Sequence, residues 1–270
     1  MRTRSIAGGL VVLLIVMLLS PSCTVKESRT ACPCYTSVAV DDFILAGFAE
    51  AAVSFSSDRL LCRETITLQE YEDVGYLIAL SRRSNRAAVI AGLDNSIVRG
   101  DSLMTPYGLE VDPIWLYSEK FVCEGDDHHI NARPHKQYCR LEIVVTGLSP
   151  GDLYDCSFRV KAESCGIDLY GRQALAGEYC ATAERNSTGD FFVRIPRQAE
   201  NRLSLELLRA GNPDEPVFTI ELDKRLEAAG YDWGREDLRD MSVEVDYAGT
   251  EVNVKIIDWD SDDVFKEITI

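Results

Sequence analysis

Alternation of apolar and polar residues, recurring in short segments along most of the chain, constrains the fold more than any single motif. It runs through residues 35–40, 65–68, 75–80, 114–117 and 141–145. It continues through 156–160, 190–195, 203–207, 217–222, 242–247, 252–257 and 265–270. Apolar positions alternate with Thr, Glu, Asp, Lys and Arg, as half-buried antiparallel strands require. Turn signals return about every 8–12 residues, a spacing that suits β-sandwiches rather than βαβ units. The expectation is an all-β chain with a few short helices. One is expected over residues 41–51, opening on Asp41 and Asp42, and another over 223–230, closing on Gly230. No internal repeat shows in the residues.

The first 22 residues follow a different rule. Arg2 and Arg4 precede an apolar run over residues 7–19, and small residues then lead to Cys23. A run of ~12–13 apolar residues falls short of the ~20 that cross a bilayer, so it reads as an export signal. A cysteine at the cleavage point is the acceptor in bacterial lipoprotein processing, although Ser20 stands where Leu is common. The alternative is a secreted chain that uses Cys23 in a disulfide. Removing 22 of the 270 residues leaves 248, enough for one large or two ordinary domains. The sequence divides into a signal peptide (1–22), a lipidated tether (23–34), an N-terminal β-sandwich domain (35–145) and a C-terminal one (146–270). Loss of Arg2 and Arg4 takes the net charge from −16 to −18. With Lys and Arg scattered, that surface repels phosphate backbones and excludes nucleic acid as a partner.

Apart from Cys23, the cysteines are Cys32, Cys34, Cys62, Cys123, Cys139, Cys156, Cys165 and Cys180. In an exported chain this even set reads as a disulfide framework whose connectivity the sequence leaves open. Cys123 and Cys139 flank a polar stretch between two strand-like runs and are expected to face one another across a hairpin. The same stretch holds His128, His129 and His135, in a spacing that fits no structural zinc pattern and reads as a solvated loop. Gly147-Leu148-Ser149-Pro150-Gly151 matches a nucleophile elbow on paper. Pro150, however, lacks the N–H that the oxyanion hole needs, and a strand follows where a helix should. Asp258 to Asp263 resembles the start of a calcium loop without its glycine or its closing glutamate. Cys34, two residues from Cys32, is no convincing nucleophile. No catalytic group, metal or cofactor is expected.

The lipoprotein leader, Cys32-Pro33-Cys34 opening the first strand, two β-rich halves and the closing run VNVKIIDW over residues 252–259 form a pattern. It resembles the FimB-like fimbrial anchor lipoproteins of Bacteroidales. The strand before residue 146 and the one at 243–247 fit as well, whereas the number of cysteines and the His-rich stretch depart from the family. The resemblance implies two transthyretin-like β-sandwiches in tandem and a non-catalytic role at the base of a fimbrium. It also implies an outer-membrane, cell-surface location through lipid on Cys23, with fimbrial stalk subunits as partners. Stalk subunits of this kind lose an N-terminal strand after an arginine and receive a neighbour's strand, which is β-augmentation. Cleavage at Arg29 would cut this chain from its lipid, so an anchor should keep its first strand. Phe265, Lys266, Glu267, Ile268, Thr269 and Ile270 are then expected to be the strand offered to the next subunit. The competing expectation is a surface glycan-binding lipoprotein with Trp115, Trp233 or Trp259 as aromatic platforms. Of these, Trp115 and Trp259 lie on strand-like runs and read as core.

Overall fold

A computed structural model describes residues 32–57, 60–147, 156–186, 189–209, 215–246 and 252–257. In the first half the order is β1 (Cys34–Ala39), α1 (Asp41–Leu45), β2 (Glu50–Ser57), β3 (Leu61–Thr67) and β4 (Tyr76–Leu80). Then come β5 (Ser84–Ala91), β6 (Ile97–Arg99), β7 (Ser102–Met104), β8 (Trp115–Val122), β9 (Asp127–Asn131) and β10 (His135–Lys136). The second half begins with β11 (Tyr138–Thr146), β12 (Cys156–Asp168), β13 (Ala174–Thr182), β14 (Glu184–Arg185) and β15 (Phe191–Pro196). It ends with β16 (Leu203–Arg209), β17 (Phe218–Glu221), α2 (Asp223–Ala229), β18 (Asp240–Asp246) and β19 (Val252–Ile257). Among the described residues the regular structure is nearly all strand, as the alternation requires. No helix among the described residues is long and apolar enough to cross a membrane.

Four sheets carry this order, and their pairing repeats. In the first half, β1 lies antiparallel to β4 and parallel to β9. In the second half, β11 lies antiparallel to β15 and parallel to β18. The opposing sheet runs β3-β2-β5-β8 in one half, and β13-β12-β16-β17 takes the corresponding places in the other. The molecule is therefore two β-sandwiches of one topology, although the residues themselves show no repeat. Tyr138–Thr146, read from the sequence as the close of the first domain, is the founding strand of the second. Its register, Leu141 to Met241 on one side and to Val193 on the other, ties it to C-terminal strands.

Each sandwich has its own core. Val38, Phe43, Val53, Phe55, Leu68, Val89 and Ile130 pack in the first. Leu141, Ile143, Phe158, Tyr179, Phe191, Leu205 and Val243 pack in the second. A third cluster joins Ala52, Ala88, Ile90 and Leu116 to Leu103, Ile167, Leu169 and Tyr170. It explains why β2 and β5 lack alternation: Val53 and Val89 face the first core while Ala52 and Ala88 face this seam. Strands buried on both faces read as continuous apolar or small residues. The expected helix at 41–51 accordingly stops at Leu45, and β2 takes over at Glu50. The helix expected at 223–230 forms as Asp223–Ala229, with Gly230 in the left-handed conformation at its end (φ +70°).

The β6–β7 hairpin leaves the first half and extends the sheet of the second, where Met104 pairs with Gly166 and Leu103 with Ile167. A side chain at Gly166 would meet the Leu103 carbonyl at 2.4 Å and the Met104 sulfur at 2.7 Å, so the approach requires glycine. Gly92 plays the same part where the chain leaves β5: its φ is +81°, and a Cβ there would sit 2.1 Å from the Pro113 oxygen.

Candidate assembly surface

The first strand in chain order is β1, and its main chain is occupied on both sides. Tyr35 stands opposite Ala79 of β4 and Asp127 of β9. The Tyr35 amide donates to the Asp126 carbonyl at 2.8 Å, and the Ala132 amide donates back to Ala39 at 3.1 Å. Cys34, Thr36 and Val38 point inward and are fully buried, whereas Tyr35 is 54% exposed. That inward row anchors the strand by burial as well as by hydrogen bonding. Among the described residues β19 pairs with β18 and stands last in the strand order of its sheet.

Alternation could not reveal β9, because DHHIN contains one apolar residue, and the stretch from Cys123 to Cys139 is not a solvated hairpin loop. Asp127–Asn131 is a strand parallel to β1, and His135 opens β10. The three histidines go to separate partners. The His128 ring stacks on Phe121, centroids 4.4 Å apart, and His129 hydrogen-bonds Ser37 Oγ at 2.8 Å. His135 lies 3.1 Å from an Asp237 carboxylate oxygen and 3.3 Å from one of Glu236. Among the described residues no group of three or more His, Cys, Asp or Glu is placed to hold a metal ion.

Cys123 and Cys139 are not brought together. Cys123 belongs to the first core and faces Cys34, while Cys139 lies in the second core against Tyr231. Burial pushes the Cys139 thiol up to about 12, with the Tyr231 hydrogen bond working against that rise. Cys23, Arg29, Ser149, the acidic run 258–263 and residues 265–270, expected as the donor strand, lie outside the described residues.

The aromatic residues that a sugar would need are mostly committed elsewhere. Trp233, the platform of the glycan-binding expectation, is 6% exposed, hydrogen-bonds Asn201 Oδ1 at 2.9 Å and packs edge-on against Tyr231. Trp115 packs on Phe48 at the border of the first core. A cleft of about 390 Å³ opens beside β11, β14 and β15. Its Phe192 face is covered by the Arg140 guanidinium at 4.2 Å, and Arg194 is held by Glu110 at 2.6 Å. Burial lifts the Glu110 carboxyl above the usual range against the pull of Arg194. The cleft therefore presents an ion pair and a guanidinium-covered ring rather than an open stacking platform.

No protein-family model matches the sequence, and no curated protein matches it. Solved structures do. The chain superposes on the fimbrial anchor protein Mfa2 of Porphyromonas gingivalis with a TM-score of 0.57 at 12% identity, covering 84% of this chain and 98% of that one. The chain shares its fold. A candidate polysaccharide-binding protein of Bacteroides thetaiotaomicron gives 0.59 at 11% identity over 88% and 98% of the two chains. A candidate adhesin of Bacteroides ovatus gives 0.57 at 9% identity over 88% and 95%. All three likenesses span both sandwiches, so the tandem arrangement is common to the group.

Proposed function

We propose that this chain is a fimbrial anchor or accessory subunit, tethered at the cell surface to the outer membrane by lipid on Cys23. In this reading it binds fimbrial stalk subunits by β-strand addition and ends the fimbrium at its base. The observation that supports the reading is the place of the first strand: β1 is paired on both sides, by β4 and by β9. A strand slot already filled offers no groove to an incoming strand, so growth stops on that side. Addition then falls to the other end, where residues 265–270 follow the edge strand β19 and serve as the donor. The shared fold with Mfa2 supports the same role. The role is non-catalytic and needs no cofactor. Glycan binding is the weaker reading, because Trp233 is core and, among the described residues, the exposed Tyr35 lies on β1 while the exposed Tyr107 lies in the segment between β7 and β8.

The test is a pull-down of the tagged protein from native outer membranes, run unheated on a denaturing gel. A heat-sensitive ladder of bands containing fimbrial subunits is expected. A single monomeric band would overturn the anchor reading and bring the glycan-binding one forward.

A further inference from the structure

We propose that Cys34 and Cys123 form a disulfide that fastens β1 to the end of β8. The two belong to one core cluster, with Cys34 fully buried and Cys123 2% exposed. Thr36, two residues along β1 on the same inward face as Cys34, has its Oγ1 3.8 Å from Cys123 Sγ. The Cys123 sulfur thus sits over the inward row of β1, the face that also carries the buried Cys34 side chain, and both cysteines are free thiols in this structure. Two further bonds hold it there: Asn85 Nδ2 donates to the sulfur at 3.4 Å, and the Cys123 amide donates to Arg83 at 3.4 Å. In the folded chain burial and the facing thiol push Cys123 up to about 11, which leaves little thiolate at neutral pH. Oxidation therefore belongs to the folding stage, before the pair is sealed.

The chemistry is thiol–disulfide exchange with an oxidising dithiol protein of an exported compartment. One cysteine thiolate attacks the oxidant's disulfide, forming a mixed disulfide and releasing one oxidant thiolate. The second cysteine thiolate then attacks the first cysteine's sulfur, forming the Cys34–Cys123 bond and expelling the other oxidant sulfur. Two protons and two electrons leave the chain, and the oxidant departs as its dithiol. On the anchor reading of the preceding section, the bond has a mechanical use. Pull arriving through the tether at Cys34 passes to β8 covalently and does not peel β1 from β4 and β9.

Peptide mapping of the Cys32→Ser protein, made in an oxidising compartment, alkylated and digested without reduction, tests the bond. The expected result is the Cys34 peptide joined to the Cys123 peptide and separated by reductant. Cys123 found joined to any other cysteine, or both thiols found alkylated, would overturn it. Hydrogen exchange on the wild-type chain then tests the fastening. Reduction should speed exchange of the β1 amides at least tenfold while β11 keeps its protection; unchanged β1 protection would overturn the mechanical role. Neither measurement involves a fimbrial partner, so the bond and the anchor reading stand or fall separately.

Discussion

Asp112 is a buried carboxylate, 2% exposed, and both its oxygens are filled by main chain. The amides of Asp94 and Ser96 donate to Oδ2 at 2.9 and 2.8 Å, and that of Asn95 reaches both oxygens at 3.0 Å. Burial alone would lift this carboxyl, but the hydrogen bonds it accepts at the turn over residues 94–96 outweigh it and hold it below the usual aspartate range. A carboxylate with a depressed folded-state pKa stabilises the fold above its unfolded value, and that stabilisation is lost as pH falls through the folded value. Asp112→Asn keeps the shape and removes the charge, so it should lower stability by about 1–3 kcal/mol at pH 7. The gap to wild type should be constant above pH ~5 and narrow below pH ~4. Urea midpoints for both chains across that range check it; a gap that widens on acidification would contradict the assignment.

At the scale of elements, the β6–β7 hairpin is the link to test, because it is made by one half and paired in the other. Gly166→Ala places a methyl group against the Leu103 carbonyl, which belongs to backbone and has little room to yield. The substitution should destabilise the chain by about 1–3 kcal/mol and loosen β7 first. Hydrogen exchange at residues 102–104, faster than at β16 in the variant, is the expected signature. The segment proposed as donor is a second element-scale case: deletion of residues 265–270 should abolish capture of a stalk subunit while melting stays unchanged. Capture by the truncated chain would remove that strand from the account. These elements also mark where the sequence was readable. Half-buried strands such as β11 and β18, with Leu141, Ile143, Val243 and Val245 at every second place, announced themselves. β2, β5 and β9 did not, for opposite reasons: the first two are buried on both faces, and the last is polar and held largely by its main chain beside β1. The Cys123 pairing was misjudged for the same cause, since a stretch read as a hairpin loop is a strand that brings the chain back to β1.

For the whole molecule, location and assembly should be separable, because both cores are built from Cys34 onward and owe nothing to the lipid. Three acyl chains bury apolar surface at about 0.8 kcal/mol per CH₂, far beyond what one chain provides, so lipid on Cys23 would hold the protein firmly. If residues 1–22 are removed as a leader, the remaining net charge of −18 repels an anionic surface. Cys23→Ser should therefore release a fully folded chain from the membrane fraction. If residues 265–270 act as donor, the released chain still captures subunits, and the heat-sensitive ladder moves with it into the medium. Fractionation followed by unheated gels of both fractions reads the two effects at once. Retention of the variant in the membrane would show that the tether lies elsewhere. Release without the ladder would tie subunit capture to the membrane, and with it the idea that the two sandwiches assemble independently of their anchor would fail.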